Sequence, residues 1–382
     1  MNYKIVTTFP HAFFENAKAP LISIYQDTSR YSTDNKHDAL TFKNLVNSIE
    51  TSLLNKYDKS SVKPVIELLR KIQDDRKFWQ HCLDGIALFS NLDECIIYDL
   101  KKSPETVAVV SDSFHIKPLI QYFQFVNTYQ ILDLDKASFQ IFEGDAYSLQ
   151  KIDISEDVET TIEEILGRYS EPSYHTHGTY GGASDTSTFH GHGGTKAADE
   201  IDLERFLRRV DTIVYDALSK ISKKPLLLLA PKAYHSRFFE ISDNTYLEPI
   251  GISGTYETLK DEGLKKEIET YDRKIFSDKM KALIDTYHHL KSNNRASDDL
   301  LQIISAAVDG RIETLLLEDN KTISGKIDRQ NKKLLKSEAH ALNVDDILDD
   351  LSQITLEMGG QVYILDSETM PSKTGVAAIF RY

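Results

Sequence analysis

The sequence predicts an α/β protein built as three α/β domains. Three observations carry that expectation. Short apolar runs that read as strands alternate with helical apolar periodicity along most of the 382-residue chain. Residues 169–198 hold glycine, serine, threonine and histidine in place of aliphatics and cannot build a core. Beyond the polar break SNNRASDD (Ser292–Asp299), helix and strand patterns resume to the last residue. The expected domains are 1–155, 156–272 and 273–382.

In the first segment LISIY (Leu21–Tyr25) is a short apolar strand. Leu40, Phe42, Leu45, Val46, Ile49, Leu53 and Leu54 then recur at three- and four-residue spacing, a helix from Asp38 to about Tyr57. Val62, Val65, Leu68, Leu69 and Ile72 mark a second helix, followed by the strand runs Ile86–Ser90, Cys95–Leu100 and Val107–Ser111. YQILDLD and SFQIFEGD read as an antiparallel pair around Lys136–Ala137, closing this segment. Trp79 and Phe78 end a helix and are expected to pack in a core or between domains.

The second segment opens with an acidic helical stretch, Glu156–Leu166, before the long loop 169–198. Asp199 to about Ile221 is a strong helix, with Ile201, Leu203, Phe206, Leu207, Val210, Ile213, Val214 and Leu218 on one face. LLLLA (Leu226–Ala230) is a continuous apolar strand of a buried sheet. In the third segment, helix Leu300–Val308 leads to strand Ile312–Leu317, and a helix from Val344 to Met358 leads to VYIL and a final strand, GVAAIFRY. This is an α/β sandwich layout.

Composition narrows the function classes. Forty-five Lys and Arg stand against 59 Asp and Glu, net −14, so nucleic acid is not gripped by a generally basic surface. Cys82 and Cys95 are the only cysteines, which excludes a disulfide scaffold and a Cys-rich zinc site and fits a reducing cytosol. No stretch approaches the roughly 18 uncharged apolar residues of a membrane span. The amino-terminus also lacks the basic start and apolar core of a secretory signal, so no membrane partner and a cytoplasmic location are expected.

Candidate sites follow. His175, His177, His190 and His192 form two His-x-His pairs in the long loop, chemically able to ligate zinc. Alternating histidines of an extended chain point to opposite sides and the flanking glycines give no rigid scaffold, so neither a metal nor any other cofactor is expected. Between Arg168 and Lys196 there is no Lys or Arg, so phosphate contact there would need backbone N–H groups or protonated histidine. Lys321, Lys326, Arg329, Lys332, Lys333 and Lys336 face one acid in their own run, Asp328, and make the candidate RNA contact. The plain alternative is a solvated connection. Gly359-Gly360-Gln361 lies between a helix end and a strand, where glycine is expected to cap the helix. The acid pairs Glu163-Glu164 and Asp349-Asp350 lack a partner for acid–base work and read as solvated helix faces.

AAVDGRIETLLLED (Ala306–Asp319) and GGQVYILDSETMPSKTGVAAIFRY (Gly359–Tyr382) resemble the C-terminal domain of Pelota and the archaeo-eukaryotic class-one release factors. FHGHGGTKAADEIDLERFLRRVDTIVYDAL (Phe189–Leu218) is similar to the catalytic loop and following helix of those factors. SIYQDTSR (Ser23–Arg30), DRKFWQHCLDGIALF and SFHIKPLI resemble the bacterial branch of the superfamily, which includes Balon-like ribosome factors. The resemblance gives no role to Asp27 and Arg30.

The resemblance implies a Pelota-like third domain, a release-factor-like central domain, and a protein directed to the ribosomal A site, in contact with rRNA and tRNA and accompanied by a translational GTPase. By position, His190, Gly191, His192, Gly193 and Gly194 match the family loop, whereas the catalytic Gln corresponds to Thr195 and the following Ser to Lys196. Thr keeps a backbone N–H but shortens and branches the side chain, which argues against efficient peptide release. Nothing like the Asn-Ile-Lys-Ser stop-codon motif is present. The expected function is therefore a non-hydrolytic A-site factor in stalled-ribosome rescue or hibernation. The alternatives are a peptidyl-tRNA hydrolase working through the Thr195 N–H and an ordered water, and a stress-associated scaffold that does not bind ribosomes.

Overall fold

The computed structural model describes residues 2–15, 17–30, 35–154, 158–167, 194–335 and 346–382. The chain forms two compact units, one of Met1–Phe125 with Lys274–Tyr382, the other of Val126–Arg273.

The first unit opens with β1 (Tyr3–Ile5), β2 (Leu21–Asp27), α1 (Asn35–Lys56), α2 (Lys59–Asp74), α3 (Arg76–His81), β3 (Gly85–Ser90), β4 (Cys95–Leu100), β5 (Val107–Ser111) and α4 (Lys117–Phe123). Its sheet runs β1-β4-β3-β2-β5, antiparallel except for β1 beside β4. Side chains of a strand alternate between faces. Ile22, Ile24, Ile86 and Leu88 accordingly meet Phe42, Val46, Ile49, Val65 and Leu69 of α1 and α2. Leu21, Tyr25, Ala87 and Phe89 join a second core with Phe13, Phe14 and Phe114. Trp79 is buried and its indole N–H donates to Ile72 O at 3.0 Å, as a core tryptophan should. Burial pushes the Cys82 and Cys95 thiols up to about 12, which makes both poor nucleophiles near neutral pH.

The second unit contains β6 (Tyr129–Leu134), β7 (Phe139–Gly144), β8 (Leu149–Ile152), α5 (Ile162–Gly167), α6 (Gly194–Val214), a π-helical turn (Tyr215–Ser219), α7 (Lys220–Ser222), β9 (Leu226–Ala230), α8 (Lys232–Ile241), β10 (Ile252–Ser253) and the start of α9 (Tyr256–Lys291). The sheet order is β10-β9-β6-β7-β8. All five residues of β9 are buried, as their unbroken apolar run requires. β6 lies parallel to β9, with Gln130–Asp133 opposite Leu226–Leu229. The strands YQILDLD and SFQIFEGD, expected in a first domain ending at 155, therefore stand in the second unit's sheet. Their parallel partner is too remote in sequence for a local pattern to reveal it. On α6, Phe206, Leu207, Val210 and Val214 pack on Leu132, Leu134, Leu226 and Leu228. Ile201, expected on that face, is 53% exposed. α9 departs from helical geometry at Lys260 and carries the chain into the first unit's second part.

That part continues with β11 (Ala296–Ser297), α10 (Leu300–Val308), β12 (Ile312–Glu318), the hairpin β13 (Lys326–Asp328) and β14 (Lys333–Leu335), α11 (Ile347–Glu357), β15 (Gln361–Leu365) and β16 (Val376–Phe380). The sheet is ordered β11-β16-β12-β15. On one face Met280 and Tyr287 of α9 meet Leu316, Ala377 and Ile379. On the other, Ile303, Ile304, Leu351 and Ile354 of α10 and α11 meet Leu315, Leu317 and Ala378. The layers form the expected α/β sandwich. The second core also contains Phe13, Phe14 and Phe114, so the first and last parts of the chain bury apolar surface together. No helix among the described residues is long and apolar enough to cross a membrane.

Candidate functional site

His175, His177, His190, Gly191, His192 and Gly193 lie outside the described residues. Gly194 is the first residue of α6, which puts the backbone of Thr195 and Lys196 in the helix's first turn. N–H groups of a first turn have no acceptor within their own helix. Among the described residues, no group of three or more His, Cys, Asp or Glu side chains could hold a metal ion.

The literal Gly-Gly-Gln is a helix terminus. Gly359 has φ 71°, its N–H donates to Leu356 O at 3.0 Å, and the Gly360 N–H donates to Thr355 O at 2.8 Å. These are the two hydrogen bonds of a Schellman cap. A Cβ on Gly360 would stand 2.6 Å from Thr355 Cγ2 and 2.9 Å from Ile312 O, so the second glycine is needed for close approach. Gln361 begins β15, and its Oε1 accepts from Tyr363 OH at 2.8 Å. α10 ends in the same way, with Gly310 N–H to Ala307 O and Arg311 N–H to Ala306 O. Arg381 of the closing motif donates to Gly310 O at 3.0 Å and Met358 O at 2.8 Å. One guanidinium thus serves both helix ends, where orphan carbonyls gather.

The basic run meets acids from elsewhere in the fold. Lys321 pairs with Glu318 at 3.3 Å, Lys326 with Asp112 at 2.8 Å and Arg329 with Glu357 at 2.5 Å, while Lys332 pairs with Asp309. Lys333 is exposed on β14, and Lys336 lies outside the described residues. The count along 321–336 therefore overstates the local positive charge, because three of the four acids come from other elements. All four pairs are partly exposed, and such pairs contribute only about 0–1 kcal/mol each, so a phosphate could displace the carboxylates.

Asp27 and Arg30 fasten a turn. Asp27 Oδ1 accepts from Ser103 Oγ at 2.8 Å, and Arg30 holds Asp84 through two nitrogens, at 2.5 and 2.7 Å. The Thr28 N–H donates to Asp84 O, and the Ser29 N–H to Asp38 Oδ2. SIYQDTSR thus ties the end of β2 to the entry of β3 and to α1.

Glu163 and Glu164 are exposed, as a solvated helix face should be, whereas Asp349 is not. Glu164 accepts from the Thr160 and Thr161 N–H groups while its own N–H donates to Thr161 Oγ1, a capping box that starts α5. Asp349 is 3% exposed and anchors a charge cluster. Its Oδ2 stands 2.6 Å from His115 Nδ1, and its Oδ1 accepts from Ile116 N–H at 3.0 Å and Lys117 N–H at 3.1 Å. Lys117 Nζ lies 2.6 Å from Asp346 Oδ2 and donates to Lys321 O. Asp346 also accepts from Leu348 N–H, capping α11, and from Ile323 N–H. Burial alone would raise the Asp349 carboxyl, but the His115 charge and the hydrogen bonds from His115 and Lys117 hold it low. Burial and the Asp349 charge raise the Asp346 carboxyl despite Lys117. The sequence hint was SFHIKPLI, which holds His115 and Lys117; their acids stand more than 200 residues away.

The middle of the chain is similar to bacterial archaeo-eukaryotic release factors. Residues 128–311, somewhat under half the chain, match the model of bacterial archaeo-eukaryotic release factor family 3. The match begins next to β6, where the second unit starts, and runs through α9 and α10. The chain is similar to an archaeal translation termination factor, aRF1 (15% identity, 97% of this chain and 95% of that one, TM-score 0.25). It is also similar to archaeal Pelota in a model of ribosome-bound Pelota and ABCE1 (12%, 74% and 70%, 0.39). A third likeness is to S. cerevisiae Dom34, a translation termination-like factor interacting with Hbs1 (13%, 78% and 74%, 0.35). No curated protein matches the sequence.

Proposed function

We propose that the protein is a cytoplasmic translation factor that binds the ribosomal A site in stalled-ribosome rescue or hibernation, neither decoding stop codons nor releasing peptide efficiently. It is accompanied by a translational GTPase and contacts rRNA and tRNA. The observation that carries the reading is the release-factor family match over residues 128–311 combined with Thr195 at the position of the family's glutamine. A glycine pair ahead of it suits close approach to crowded RNA, since glycine tolerates backbone conformations that other residues avoid. Threonine has no amide with which to place a water. The proposal keeps three modules, with the central one beginning at β6 and the basic residues of 321–336 as an RNA contact on the third.

Peptide release from stalled ribosome–peptidyl-tRNA complexes tests the missing hydrolysis. The wild type, Gly193→Ala and Gln361→Ala are each expected to remain at background. Release by the wild type that Gly193→Ala abolishes would establish the hydrolase instead, and loss through Gln361→Ala would make the helix-end tripeptide the reactive one. The acidic balance of the chain and the paired cations Lys326, Arg329 and Lys332 favour the scaffold reading, which a stable protein partner without ribosome binding would install.

A further inference from the structure

His115 sits where the amino-terminal part of the first unit rests on the start of α11. Asp349 reaches across to three successive residues, through the His115 ring and the Ile116 and Lys117 N–H groups. Asp346 takes the Lys117 ammonium, and Gln353, one turn beyond Asp349, accepts from Phe114 N–H and donates to Phe14 O. From β2, Tyr25 donates its hydroxyl to His115 O and sets its ring edge-on to the imidazole at 5.9 Å, and Ser23 Oγ accepts from the His115 N–H. The groups facing the imidazole are therefore Asp349 of α11, Asp346 at its amino-terminal cap, Lys117 of α4 and Tyr25 of β2. Asp112, three residues before His115, is paired with Lys56 and Lys326.

Charge arithmetic decides what this cluster can do. With His115 protonated, two cations meet two carboxylates and the seat is balanced. With His115 neutral, Asp346 and Asp349 share Lys117, leaving one excess negative charge among side chains that are 4–9% exposed. The His115 side chain is 25% exposed, so its proton can exchange with solvent.

We propose that His115 is a proton-operated latch, which when protonated locks the segment Ser113–Lys117 onto α11 and when neutral lets that segment lift away. Burial by itself would lower the His115 pKa, but the Asp349 charge and hydrogen bond raise it above the ordinary histidine value. A group whose folded pKa is raised contributes stability that is full below its unfolded pKa and is lost as pH rises through the folded value. The latch therefore closes on the acidic side of that window and opens on the alkaline side.

Hydrogen exchange of the full chain between pH 6 and pH 9, corrected for intrinsic base-catalysed exchange, reads the latch in peptides covering Ser113–Ile120. Wild-type protection there is expected to fall about tenfold for each unit by which closing raises the His115 pKa. His115→Gln removes the pH dependence, and peptides of β12 keep theirs unchanged in both proteins. Wild-type protection that is flat with pH, or a dependence that survives in His115→Gln, overturns the latch. If the variant does not fold, the imidazole titration of the wild type by NMR decides, and a midpoint at or below the ordinary histidine value refutes it.

Discussion

Replacing Asp349 with alanine is expected to destabilise the first unit by about 3–5 kcal/mol, the cost of removing one partner from a buried charge pair. Three donors lose their acceptor at once, and Ile116 and Lys117 cannot turn their backbone N–H groups to water without moving the segment that holds them. Chemical denaturation should show the midpoint falling with little change of slope. Asp349→Asn is expected to lose less, because its remaining oxygen can still accept from the two backbone groups. A loss below about 1 kcal/mol for the alanine variant would place the seat on the shared apolar core of Phe13, Phe14 and Phe114 rather than on charge.

Replacing Lys326, Arg329, Lys332 and Lys333 together with alanine should weaken ribosome binding by roughly tenfold or more at physiological salt, and flatten the plot of log affinity against log salt by about three to four. The slope is the sharper readout. The wild type must first give up the pairs with Asp112, Glu357 and Asp309, each worth about 0–1 kcal/mol, so its affinity understates the number of phosphate contacts. Lys321 is left in place because its amine also donates to Lys373 O, and Gly375 has room for no Cβ against its side chain. An unchanged slope would move RNA contact away from this hairpin.

What was legible in the sequence was local. The unbroken run of β9, the three- and four-residue spacing of α2, and the stripe Phe206, Leu207, Val210 and Val214 each reported burial through their own period. Gly359 and Gly360 were legible as a helix cap because they follow the last periodic residues of α11. Illegible features depended on remote partners. The parallel pairing of β6 with β9 moved the first boundary, and Asp112, Glu357 and Asp309 reached the basic run from other elements. Asp349 looked like a solvated helix acid because its partners lie in SFHIKPLI. Ile201 fitted the helical spacing of α6 yet stands 53% exposed, because apolar spacing marks a helix face without showing how far the core beneath it extends.

The central claim is tested most directly by cosedimentation of the purified full-length protein with 70S ribosomes at physiological salt. The account predicts saturable comigration that a deletion of 173–197 weakens. A protein left at the top of the gradient while ribosomes pellet without it would contradict the account.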